Sequence, residues 1–182
     1  MRVIAGERRG FRLETPPKQE KTRPTEDRLK EAVFSILQPL KQGCVVFDAF
    51  AGTGQIGIEF LSRGAARVLF CEKNPNMVQL IQRNLQKTKY EEQSFVFRGD
   101  ARRALGDISE TFDYVYLDPP FHSGMDRKVL EMLRRTKRLN SQAKIIVESS
   151  SEDSSWEAVE GYEKIFDRLY GTKRIRIFQE AV

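Results

Sequence analysis

Histidine and cysteine are almost missing from this chain, whose 182 residues hold one histidine and two cysteines. Cys44 and Cys71 are too few and too far apart for a disulfide framework or a zinc site, and each lies in an apolar run that favours a buried free thiol. With His122 as the single imidazole, no cluster of His, Cys and Asp offers a metal a site. Long hydrophobic runs are missing too. No stretch approaches the roughly 18–20 apolar residues of a membrane span. The first residues carry charge but lack the apolar core of a secretory signal. Repeats and low-complexity tracts are also absent. These absences point to a cytoplasmic protein with no membrane contact and no resident metal.

What is present fits one folded domain with a short appendage: 40% apolar and 31% charged residues over a length that can bury a real core. The charge is unevenly placed. Residues 1–24 hold seven Lys/Arg against three Glu, a net of +4, while the whole chain carries only +5. Such an excess at one end suggests a segment that meets a polyanion.

Residues 2–5 and 11–14 read as two short strands around Glu7-Arg8-Arg9-Gly10, a basic hairpin ended by Thr15-Pro16-Pro17. Residues 18–24 read as a loop, and Thr25 as the N-cap of a helix that Pro39 stops. From residue 44 strands and helices alternate. Strands are expected at 44–50, 67–71, 94–98, 112–117 and 144–148, with helices at 55–62, 75–87, near 101–105 and at 125–135. That order argues for a parallel sheet covered on both faces. Residues 164–170 and 172–178 are strand-like runs joined at Gly171 with no room for a helix, so they must pair antiparallel. Residues 1–41 are expected to form the hairpin-and-helix extension, and 42–182 the main domain.

In an open α/β sheet, ligands bind beyond the carboxyl ends of the strands. The first strand ends in Asp48-Ala49-Phe50-Ala51-Gly52-Thr53-Gly54, where glycines let the backbone turn sharply beside a ligand. Gly52, Gly54 and Gly57 also satisfy G-x-G-x-x-G, which keeps a dinucleotide site in play. Glu72 ends the second strand and suits the ribose hydroxyls of either NAD or S-adenosylmethionine. After the third strand, Asp100 in Gly99-Asp100-Ala101 could accept from an adenine amino group or cap a helix. The fourth strand runs into Asp118-Pro119-Pro120-Phe121. Its prolines fix φ and donate nothing, their carbonyls accept, Asp118 adds a carboxylate, and Phe121 offers a face for stacking a base. Such a loop can accept both protons of an –NH2 group.

Taken together, these motifs resemble the ordered set of class I amino-methyltransferases. Arg2-Val3-Ile4-Ala5-Gly6 and Thr22-Arg23-Pro24-Thr25 narrow the likeness: the whole chain resembles the RsmD family, methylating a guanine N2 in small-subunit (16S) ribosomal RNA. The resemblance implies a Rossmann-like, seven-stranded, mostly parallel sheet with the last strand antiparallel. It implies S-adenosylmethionine over Asp48, Gly52, Gly54, Glu72 and Asp100, with Phe50 and Ala101 in the same motifs, and a target amine at Asp118. It also implies ribosomal RNA, within a small subunit or assembly intermediate, as partner of a monomeric enzyme.

Mechanistically, Asp118 and the Pro119 carbonyl are expected to hold the two amine hydrogens while Phe121 stacks on an extruded base. His122 is read as a loop histidine without chemical duty. Arg8, Arg9, Arg12 and Arg23 are expected to grip RNA phosphates. An adenine-N6 methyltransferase on DNA or RNA stays open, because both targets are planar ring amines. An NAD-dependent oxidoreductase and a catalytically silent RNA-binding module are the competing classes.

Overall fold

The computed structural model describes residues 1–17, 24–120 and 124–181, with the backbone alone at 24 and 25. Among them, seven strands form one sheet: β1 (Val45–Asp48), β2 (Arg67–Glu72), β3 (Ser94–Arg98), β4 (Phe112–Leu117), β5 (Leu139–Ser150), β6 (Tyr162–Tyr170) and β7 (Lys173–Glu180). The helices are α1 (Pro24–Leu37), α2 (Gln55–Ser62), α3 (Pro75–Thr88), α4 (Ala101–Asp107) and α5 (Met125–Thr136). The spatial order is β3-β2-β1-β4-β5-β7-β6. Strands β1 to β5 pair in parallel, and β7 lies antiparallel between β5 and β6. The expected mostly parallel sheet with a reversed last strand is what forms.

Alternate residues along the strands feed two cores. Val46, Val68, Phe70, Tyr114, Tyr116 and Ile146 face α1, α2 and α3, where Phe34 and Phe60 meet edge to face at 4.7 Å. Phe47, Leu69, Val115, Leu117, Ile145 and Val147 face α4 and α5. Each fully buried side chain of this size contributes about 1.5–3 kcal/mol. Covering both faces explains why β4 is buried at every residue and is apolar or aromatic apart from Asp113, whose carboxylate is held by Lys41 and the Val45 N–H. Among the described residues, no helix is long and apolar enough to cross a membrane.

Most boundaries fall within one or two residues of the sequence expectations, and three departures have an identifiable physical cause. The hairpin is one isolated bridge, Arg2 to Arg12, rather than two strands. Val3 N–H donates to the Phe11 carbonyl, Gly10 N–H to the Val3 carbonyl and Leu13 N–H to the Met1 carbonyl, but the donors nearer the turn go to α2: Ile4 and Ala5 N–H to the Glu59 carboxylate at 2.9 and 3.0 Å, and Glu7 N–H to the Ser62 carbonyl. The first helix starts at Pro24, so Thr25 lies inside its first turn; proline suits that place because the N–H it lacks has no helical partner there. Strand β5 begins at Leu139 rather than 144, with a register shift against β4 and a left-handed Gln142 (φ 61°) breaking the alternation that marks a strand. The loop expected at 18–24 lies outside the described residues up to its last position.

The described residues of 1–41 pack onto the main domain. Val3 and Leu13 are buried with Val33, Phe34 and Leu37 in the core that Phe60 and Tyr114 share. Glu59, fully buried, also meets Arg63 at 2.8 Å and Lys30 at 3.5 Å, so its charge is compensated by two cations and two backbone donors.

Candidate active site

The parallel strands end along one edge, and a cleft of about 540 Å³ opens there. It falls within the roughly 300–1,000 Å³ usual for small-molecule sites. Phe50, Glu72 and Ala101 line one part, and Asp118, Pro119 and Pro120 another. Six of the expected site residues are therefore brought together on one surface. Asp48, Gly52, Gly54 and Asp100 do not line it, although their neighbours Ala49, Gly99 and Ala101 do.

Asp48 is buried at the end of β1 and accepts the Gly57 N–H at 3.2 Å, tying the glycine loop to the start of α2. Burial pushes its pKa up to about 7, against that hydrogen bond and helped by the charges of Asp118 and Glu72. Gly54 caps α2 with φ 79°, a left-handed value that favours glycine. Gly57 answers a different need, since a Cβ there would overlap the Phe70 ring and push α2 off the sheet. The third glycine of G-x-G-x-x-G is thus a packing residue.

Glu72 ends β2 and spans two loops. One carboxylate oxygen accepts the Gly52 N–H at 2.9 Å and the other the Asn74 N–H at 2.8 Å. Each oxygen keeps a second acceptor position for a hydroxyl group. Asp100 caps α4 through the Arg102 N–H, so the helix-cap reading is realised. Its oxygens also take both arms of the Arg102 guanidinium at 2.9 and 3.0 Å and the Lys73 ammonium at 3.0 Å. Arg102 above all, with Lys73, holds its pKa below the usual carboxylate range.

The other part of the cleft carries residues that the sequence reading missed. Antiparallel β7 starts where the parallel strands end, which delivers Lys173 to the cleft. Its ammonium lies 2.9 Å from Glu148 at the end of β5 and 3.9 Å from Asp118. Tyr116, buried in β4, donates its hydroxyl to the second Glu148 oxygen at 2.7 Å. Burial, then the Glu148 charge, keeps that phenol protonated well above its ordinary range. Burial alone would lower the Lys173 pKa, but Glu148 and Asp118 outweigh it and raise it, so the ammonium stays charged. Asp118 is 44% exposed along its side chain. The enclosing protein and the Glu148 carboxylate raise its pKa, with Lys173 opposing and open solvent tempering the rise. One sequence signal pointed to Glu148: like Glu72, it is an acid closing a parallel strand. Lys173 had none.

The expected phosphate contacts separate. Arg9 and Arg12 are exposed. Arg8 is a bracket within the fold: its Nε donates to the Thr88 carbonyl at 2.9 Å, and its guanidinium lies 5.5 Å from the Tyr90 ring centre. Arg2 and Arg28, not singled out from sequence, join Arg9 around a groove of about 570 Å³ between the first residues and α1. Phe121, His122 and Arg23 lie outside the described residues. Among those described, no group of His, Cys, Asp and Glu is arranged to hold a metal. Both cysteines are free and buried.

A family model described as Conserved hypothetical protein 95 matches residues 1–179. Ribosomal RNA small subunit methyltransferase D of Haemophilus influenzae is 33% identical over 98% of this chain and 93% of its own. The solved structure of yhhF from Escherichia coli matches with a TM-score of 0.87 at 27% identity, covering 100% of this chain and 98% of that one. Precorrin-6y C5,15-methyltransferase from Geobacter metallireducens shares the fold, with a TM-score of 0.70 at 21% identity over 93% of each chain. The architecture is that of class I methyltransferases. With its motifs and almost its whole length matched, the chain belongs to the RsmD family.

Proposed function

We propose that the protein transfers a methyl group from S-adenosylmethionine to the exocyclic N2 of a guanine in small-subunit (16S) ribosomal RNA. The observation that carries this reading is one cleft holding Glu72 and, along the same edge, Asp118 with Pro119 and Pro120. The family relative in Haemophilus influenzae, named a ribosomal RNA small subunit methyltransferase, supports the substrate class.

The residues present fit the cofactor. Glu72 retains acceptor capacity for ribose hydroxyls, while Phe50 and Ala101 offer apolar surface to an adenine ring. Asp48, Gly52 and Gly54 shape the loop beneath. Asp100 can reach an adenine amino group only if Arg102 or Lys73 yields, since four donor contacts already occupy its oxygens. When bound, S-adenosylmethionine supplies an electrophilic methyl on a sulfonium.

The chain's own residues do the rest. A ring amine is a poor nucleophile because its lone pair is delocalised. Asp118 and the Pro119 carbonyl accept its two hydrogens and turn the lone pair toward the methyl, and Phe121 stacks on the extruded base. The carboxylate favours the positive charge growing on nitrogen and takes the departing proton. Arg9 and Arg12, with Arg23, grip phosphates, and Arg8 holds the hairpin that carries Arg9 and Arg12. In this assignment residues 1–41 dock RNA and 42–182 carry catalysis, in a cytoplasmic monomer acting on a small subunit or its assembly intermediate.

The test is transfer of labelled methyl to ribosomal RNA, protein-free and within particles, followed by nucleoside analysis. N2-methylguanosine is the expected product. N6-methyladenosine would move the reading to the adenine alternative, and NAD binding without methyl transfer would overturn it.

A further inference from the structure

The structure assigns Lys173 a positioning role: Tyr116 and Glu148 fix its ammonium beside Asp118, where it keeps that carboxylate ionised and able to accept from the target amine. This inference rests on the placement of the amine at Asp118.

The geometry is a relay across three neighbouring strands. Tyr116 on β4 donates to one Glu148 oxygen at 2.7 Å, and Lys173 on β7 meets the other at 2.9 Å. Glu148 lies beside Ile175 in the antiparallel register, two residues along from Lys173, so the pair is a diagonal contact across β5 and β7. With one oxygen held by a buried phenol, Glu148 is anchored and anchors the lysine. From there the ammonium reaches 3.9 Å from Asp118, close enough to act on its charge without a tight bond that would hide it.

Among the described residues, the other charges acting on Asp118 are unfavourable. Glu148 on β5 and Glu26 on α1 raise its pKa, and Asp118 raises that of Asp48 on β1 in turn. Lys173 is the cation that opposes them. A protonated Asp118 has a donor where the amine needs an acceptor, so this cation, set against burial and Glu148, extends the range of pH over which the cleft works. An opposite charge at about 4–6 Å moves a carboxylate pKa by roughly 1–3 units.

Lys173→Gln removes the charge with little change in reach, and Lys173→Arg keeps it. Carbon-13 carboxyl NMR follows the Asp118 titration without any RNA, its signal assigned by loss in Asp118→Asn. The expected result is a midpoint about one unit higher in Lys173→Gln and near the native value in Lys173→Arg. The acid limb of the pH–rate profile for methyl transfer to ribosomal RNA should shift by the same amount, with the KM for S-adenosylmethionine unchanged. A misfolded variant would lose activity evenly across pH, and thermal unfolding would show it. An unmoved midpoint overturns the inference, as does a moved midpoint with an unmoved rate limb. Full turnover in Asp118→Asn would instead overturn the placement of the amine at Asp118.

Discussion

Where the glycine loop meets β2 and α4, every carboxylate is engaged. Asp48 accepts the Gly57 N–H, Glu72 bridges Gly52 and Asn74, and Asp100 is held by Arg102 and Lys73. At the proline end Asp118 is 44% exposed and meets Lys173 only across 3.9 Å. Groups that shape a receptor are satisfied in advance and lose little freedom when a ligand arrives. A group that must change partners during a reaction gains from holding few of them, and among the described residues Asp118 holds this one ion pair. Under the proposed function, the contrast separates binding from chemistry within one cleft.

The sharpest way to break this contrast is Asp118→Ala. Methyl transfer should fall by roughly 10²–10⁴-fold, while calorimetric affinity for S-adenosylmethionine stays near the native value. Parallel losses in both would mean that the two parts of the cleft are not separable. Glu72→Ala attacks the other side and should weaken cofactor binding on the order of 10–100-fold, since hydrogen bonds to a charged group are lost from two loops as well as from the ligand. Its turnover at saturating cofactor should remain close to native; a collapse there would move Glu72 into the chemistry.

Asp48→Asn probes the buried member. Its pKa is raised from 3.8 to about 7, so the native chain loses this group's contribution as pH climbs from about 4 through 7. Asparagine keeps an acceptor for Gly57 and cannot ionise. The melting temperature of the variant relative to wild type should therefore grow over that range and then level off, at roughly 2–4 °C per kcal/mol. A difference independent of pH would show that the carboxylate titrates normally. The smallest effects lie on the RNA side. Arg9→Ala and Arg12→Ala should each lower the salt slope of RNA binding by about one unit, whereas Arg8→Ala should lower the melting temperature and leave the slope alone.

Much of this architecture was legible because it rests on local pattern. The alternation of β1 to β4 with helices, the Gly171 hairpin and the acids closing strands follow from periodicity and from where ligands meet an α/β sheet. What stayed hidden depends on pairs distant in sequence. Lys173 meets Glu148 only because β7 inserts between β5 and β6, and no spacing rule announces it. Arg8 looked like a phosphate contact because its charge is visible in sequence, whereas the Thr88 carbonyl that holds it comes 80 residues later. The hairpin pairs over a shorter stretch than expected for the same reason: beyond the Val3–Phe11 bond, Glu59 takes the Ile4 and Ala5 donors.

The reversed direction of β7 has a consequence for the order in which the enzyme is made. During synthesis β1 to β5 can assemble as soon as they emerge, and the glycine loop, Glu72 and Asp118 with them. The ammonium beside Asp118 arrives only when residues 173–180 pair with β5 and carry β6 in as the outer strand. A nascent chain halted at residue 170 would carry the cofactor shelf and its acid but not the cation set against that acid, so methylating competence becomes a late event in the life of the polypeptide.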